Sequence, residues 1–115
     1  MGAFGSRPEA SQADMAAAKV LVEDLIAKNM VAVFSKSYCP YCTRAKRTLS
    51  EFNLGDKMTV IELDHDKNGG AIQDYLLSKT GQRTVPNIFI KQQHVGGNSD
   101  LQSLQTSGKL AEMVA

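Results

Sequence analysis

The chain has 115 residues, 43% of them hydrophobic and 22% charged, with a formal net charge of +1 at neutral pH. That length holds one domain able to bury its own core, and the near-zero charge balance gives no electrostatic footprint for nucleic acid or an anionic membrane surface. No apolar run approaches the roughly 20 residues of a membrane span, and the N-terminus lacks a basic-then-apolar secretory pattern.

Residues 1–10 read as a flexible N-terminal segment, and the domain as 11–115. Met1-Gly2 with Ser6 fits a loose myristoylation pattern, against which a disordered tail is the plainer reading. Ser11 with Asp14 three positions on resembles a capping box, and Ala18, Leu21, Val22 and Leu25 recur at helical spacing, which predicts a helix over about 11–28. Residues 30–35 form a short apolar run suited to a strand buried on both faces. A helix then runs to about Asn53, with Cys42, Ala45, Leu49 and Phe52 on one side and Gly55 helping to end it. Thr59–Leu63 is the next strand. Asp64 to Gly70 reads as a polar loop with Asn68-Gly69-Gly70 as a breaker. A third helix carries Ile72, Tyr75 and Leu76 and stops at Gly81. Asn87–Lys91 and His94–Gly96 read as a hairpin around Gln92-Gln93, although that pair is poor chemistry for a two-residue turn. Ser99 with Gln102 predicts a second capping box, opening a helix with Leu101 and Leu104 that ends at Gly108. A last short helix carries Leu110, Met113 and Val114. Strand–helix–strand near the start implies a parallel pair with a right-handed crossover. The later hairpin adds antiparallel strands. The expected architecture is α/β, a mixed sheet of four strands with about five helices on its two faces.

The only two cysteines are Cys39 and Cys42. A bridge between them would close too short a loop to stabilise the fold appreciably, so the pair suits chemistry better than architecture. Pro40 follows Cys39 directly, and proline favours the first helical position, which makes Cys39 the expected N-cap. Its sulfur then faces the free N–H groups and positive dipole end of the helix, which favour the nucleophilic thiolate. Lys36 adds nearby positive charge. Cys42, within the first turn, is close enough to bond to Cys39 and resolve a mixed disulfide, and is the more sheltered thiol. The competing use of C-x-x-C is half a zinc site. Zinc needs four ligands, and the other soft candidates, His65 and His94, sit far away in sequence. They read better as a loop residue and a strand-edge residue.

Three segments together resemble the dithiol glutaredoxins: Lys36 with Cys39-Pro40-Tyr41-Cys42, then Thr84-Val85-Pro86, then Gly96-Gly97-Asn98-Ser99-Asp100-Leu101. The resemblance covers the chain from about residue 18 to its end. It implies a thioredoxin-like fold and a glutathione-dependent oxidoreductase acting on protein–glutathione mixed disulfides and protein disulfides, with Cys39 as nucleophile and Cys42 resolving. Glutathione is the implied co-substrate, recycled through glutathione reductase. The resemblance also implies a cis Pro86 that frees the Val85 backbone for strand-like pairing with glutathione. From Val85-Pro86 alone, an ordinary trans proline starting a strand is the simpler reading. Ser99 and Asp100 would open a helix whose N–H groups hold the γ-glutamyl carboxylate, with the Asp100 side chain meeting its ammonium. Gly96 and Gly97 would allow the backbone to approach the ligand closely, and Asn98 belongs to the same implied site. Lys36 and Gln73, with Arg83, would meet the glycine carboxylate, and Tyr41 would flank the groove with Thr84. Without the resemblance Gln73 and Arg83 read as surface residues. Arg44, Lys46 and Arg47 read first as a solvated helix face, and second as a means of steering anionic substrates.

Two other functions compete. Some glutaredoxins bind an iron–sulfur cluster between two chains through the first cysteine and glutathione, a role that rigid Pro40 and bulky Tyr41 disfavour and that a brown, visibly absorbing protein would reveal. A thioredoxin-like protein served by a flavoenzyme is disfavoured by the absence of tryptophan. The expected setting is the cytoplasm, as a monomer, with no nucleic-acid or membrane partner.

Overall fold

The structure is a computed structural model describing residues 11–115; the segment expected to be flexible over 1–10 lies outside the described residues. The hydroxyl of Ser11 accepts the Asp14 N–H at 3.0 Å and so caps α1, Gln12–Lys28. The apolar run becomes β1, Val31–Ser35, buried along its whole length. Helix α2, Pro40–Ser50, stops three residues short of the expected Asn53, which has a φ of 51°. Strand β2 is Met58–Glu62 and helix α3 is Gly69–Thr80, closed by Gly81 at a φ of 82°. Strands β3, Asn87–Ile90, and β4, Gln93–Gly96, precede α4, Asn98–Ser107, and α5, Lys109–Met113.

The sheet order is β2-β1-β3-β4, with β1 and β2 parallel and the other neighbours antiparallel. Alternation along β1 divides the core. Ala32 and Phe34 face α1 and α3, joining Val22, Ile26, Ile72, Leu76 and Phe89. Val31 and Val33 face α2, α4 and α5, joining Ala45, Leu49, Ile88, Ile90, Leu101 and Leu110. A central strand covered on both sides needs the uninterrupted apolar run seen in its sequence. Its C-terminal end, beside α2, is therefore a rigid mount for Cys39. This is the mixed four-stranded, five-helix thioredoxin-like fold expected from the sequence.

Three local expectations are corrected. Asn68-Gly69-Gly70 does not break the chain but starts α3. A Cβ on Gly69 would lie 2.1 Å from the carbonyl oxygen of Leu63, so glycine is needed for the helix start to rest on the 3₁₀ turn Leu63–His65. The hairpin turn is Lys91-Gln92, one residue earlier than Gln92-Gln93, with φ of 49° and 70°. The pair adopts left-handed backbone, as the right-handed strand twist demands of a two-residue turn. Finally, Ser99 does not cap α4. Gly97 is the N-cap, and Asp100 reaches back so that its Oδ2 accepts the Gly97 N–H at 2.9 Å.

Candidate active site

Cys39 is the N-cap of α2 and Pro40 its first residue. The Cys39 sulfur accepts the Cys42 N–H at 3.3 Å, a bond that a thiolate accepts more strongly than a thiol. Cys39 is half-buried, Cys42 is fully buried, and both are free thiols. Burial pushes the Cys42 thiol up to about 11, reinforced by the Cys39 sulfur within hydrogen-bonding reach and opposed by the Lys36 backbone and the Ser35 hydroxyl. One sulfur is thus half-buried at a helix N-terminus, and the other is fully sheltered and holds its proton.

The loop leading into Cys39 is fastened from below. The Asp64 carboxylate accepts the Ser37 N–H at 2.9 Å and also the Ser37 hydroxyl. Those two bonds hold the Asp64 carboxyl below its ordinary value. The half-buried Lys36 turns the chain by accepting the Cys39 N–H on its carbonyl at 3.2 Å. Neither Ser37 nor Asp64 was singled out from the sequence, because they lie 27 positions apart.

Across from Cys39, the Val85–Pro86 bond is cis. The Val85 carbonyl lies 3.9 Å from the Cys39 sulfur. Tyr41, Thr84, Val85, Pro86, Gly97, Asn98 and Ser99 line one groove of about 470 Å³. The three segments read from the sequence therefore meet at one place. Asn98 and Ser99, the first residues of α4, are among the lining, so the N-terminal end of that helix borders the groove. Gly96, at a φ of 118°, makes room for the Asp100 carboxylate, since a Cβ there would lie 2.3 Å from Oδ2.

The remaining expected residues fall outside the groove lining. Gln73 is buried and its amide donates to the Arg83 carbonyl at 2.9 Å. That bond ties α3 to the loop that carries Arg83. The Arg83 guanidinium pairs with Asp74 at 3.1 Å. Among the basic residues of α2, Lys46 is not a solvated charge: its Nζ pairs with Glu62 at 2.7 Å. Arg44 lies 6.0 Å from the centre of the exposed Tyr41 ring.

A buried-to-exposed cysteine pair at a helix N-terminus, facing a cis-proline loop beside a second helix N-terminus, defines a thiol–disulfide oxidoreductase of thioredoxin-like fold. The glutaredoxin family matches residues 31–95. The chain is 54% identical to glutaredoxin-1 of Rhizophagus irregularis over 88% of its own length and 98% of the relative's. It is 51% identical to glutaredoxin-2 of Schizosaccharomyces pombe over 85% and 87%. The fold superposes on a crystal structure of a buckwheat glutaredoxin–glutathione complex with a TM-score of 0.85, at 39% identity, covering 91% of this chain and 94% of that one. The chain belongs to the glutaredoxin family. Its activity is glutathione-dependent thiol–disulfide exchange, with Cys39 and Cys42 as the redox pair.

Proposed function

We propose that the protein removes glutathione from protein mixed disulfides by way of Cys39 alone, and reduces protein disulfides by way of both cysteines. The observation that carries this reading is the asymmetry of the two thiols beside a single groove. In the first route the Cys39 thiolate attacks the glutathione sulfur of the mixed disulfide. The old S–S bond breaks, the target thiol leaves with a proton, and Cys39 holds glutathione. A second glutathione thiolate attacks that sulfur, oxidised glutathione departs, and the Cys39 thiolate returns. In the second route Cys39 opens a protein disulfide. Cys42 then gives up its proton and attacks the Cys39 sulfur, releasing the reduced target. Two glutathiones reopen the Cys39–Cys42 bond, and glutathione reductase recycles their oxidised product.

Glutathione fits the groove by its chemistry. Its peptide centre pairs with the Val85 backbone as an added strand would. Its γ-glutamyl carboxylate meets the N–H groups of Asn98, Ser99 and Asp100 at the start of α4. The Asp100 carboxylate, with acceptor capacity beyond its one bond to Gly97, meets the ammonium. Lys36 and Gln73 serve the glycine carboxylate, with Arg83 as a further contact. Tyr41 and Thr84 flank the ligand. The protein works as a monomer in the cytoplasm, where a glutathione pool supplies the electrons, and without a nucleic-acid or membrane partner.

The test is backbone NMR of Cys42→Ser carrying glutathione on Cys39. Amide shifts relative to the free thiol should concentrate at Lys36, Thr84, Val85 and Asn98–Asp100. Shifts spread over the far ends of α1 and α5 with none at Val85 or Ser99 would refute the groove assignment.

A further inference from the structure

We infer that His94 is a positioning residue for this groove, acting through Asn87 and Gln82 on the Thr84–Pro86 segment. The inference rests on the groove reading above. One side-chain amide holds the segment: Gln82 Nε2 donates to the carbonyls of Thr84 and Pro86, each at 3.0 Å. With the carbonyls on either side engaged, the middle one, on Val85, is the one turned toward Cys39.

Gln82 is held in turn. The side chain of Asn87, 1% exposed, donates from Nδ2 to the Gln82 carbonyl at 3.2 Å. That bond fixes which way the Asn87 amide faces, so its Oδ1 is directed at His94 Nε2, 2.9 Å away. An amide oxygen only accepts, so His94 Nε2 carries the hydrogen. The imidazole is oriented by its cross-strand partner Phe89, 2% exposed, with ring centres 5.1 Å apart and planes tilted by 45°. The chain of contacts runs from the sheet core through His94, Asn87 and Gln82 to the groove wall. No member of it touches Cys39.

Removing the His94 donor leaves the buried Asn87 oxygen without a partner, a costly state that the loop relieves by shifting. The effect belongs to substrate binding and not to sulfur reactivity. His94→Phe keeps the ring on Phe89 and loses the donor. His94→Gln returns an N–H donor without the ring. We expect His94→Phe to raise KM for a glutathionylated peptide about tenfold, as loss of one buried hydrogen bond would, with kcat and the rate of Cys39 alkylation by iodoacetamide unchanged. His94→Gln should recover most of the wild-type KM. In the unmodified protein at about pH 8, where the imidazole is neutral, ¹⁵N NMR should show the hydrogen on Nε2.

A wild-type KM in His94→Phe, equal impairment in His94→Gln, a parallel fall in alkylation, or a hydrogen on Nδ1 would each overturn the inference. Asp100→Asn, measured alongside, separates it from the groove reading. If Asp100→Asn raises KM and His94→Phe does not, only the role of His94 falls. If neither raises it, both fall.

Discussion

The Val85 carbonyl oxygen and the Cys39 sulfur, 46 positions apart in the chain, face each other at 3.9 Å. Val85 belongs to the groove lining, so that approach sets the Cys39 sulfur against the groove wall. Cys39 caps α2 just beyond a fully buried strand, and Val85 stands on a loop whose neighbouring carbonyls are already engaged. The Val85 backbone and the Cys39 sulfur therefore lie side by side at one wall of the groove.

The two thiols should label very differently. Cys42 is fully buried, and its thiol is pushed up to about 11, so at neutral pH it stays protonated. With one equivalent of iodoacetamide at pH 7, peptide mass spectrometry should find the label on Cys39 and almost none on Cys42. Labelling of Cys42 in the native protein should become appreciable only as the pH nears about 11. Comparable labelling of both at pH 7 would contradict the asymmetry.

What the sequence revealed, and what it hid, follows from range. The role of Cys39 was legible because an N-cap and a following proline are local features. β1 was legible because a strand covered on both faces cannot avoid an uninterrupted apolar run. The groove needed three distant segments, and only their joint resemblance to a family pointed to it. Ser37 with Asp64, Lys46 with Glu62, and Asn87 with His94 are tertiary pairs of ordinary surface-type residues. No periodicity announces such pairs. Gly69 was misread because close approach to Leu63 and chain breaking call for the same residue in one dimension.

Gly96→Ala should be markedly destabilising. The residue has a φ of 118°, and an added Cβ would meet Asp100 Oδ2 at 2.3 Å. Strain and the displaced Asp100 cap together predict a loss of about 1–3 kcal/mol, read by urea denaturation. Gly97→Ala, whose Cβ would find Pro86 oxygen at 3.7 Å, should lose far less. Equal losses would show that the Asp100 approach does not matter.

Gln92→Gly should stabilise the hairpin. Gln92 has a φ of 70°, a conformation costing an L-residue about 1–2 kcal/mol. Glycine removes that cost but loses about 0.5–1 kcal/mol of chain entropy on folding. A net gain of about 0–1.5 kcal/mol should appear as a small rise in Tm. A lower Tm would mean that the Gln92 side chain makes a compensating contact.

Helices α1 and α3 are tied by Glu23, which accepts the Tyr75 hydroxyl and pairs with Lys79 at 2.9 Å. Those partners hold the Glu23 carboxyl below its ordinary value, chiefly the Tyr75 bond. A lowered folded-state value means stability that is present above the unfolded value, 4.5 for this carboxyl, and lost as the pH falls through the folded one. Glu23→Gln should therefore unfold at lower urea than wild type at pH 7, and the gap should close on acidification below about pH 4. A gap independent of pH would assign the difference to packing.

The role of Cys39 is tested by one assay: reduction of a glutathionylated peptide by wild type, Cys39→Ser and Cys42→Ser, recycled by glutathione and glutathione reductase. The predicted result is full activity in wild type, retained activity in Cys42→Ser and none in Cys39→Ser. An inactive wild type, or activity that survives in Cys39→Ser, would contradict the assignment of Cys39 as the nucleophile of a glutathione-dependent exchange.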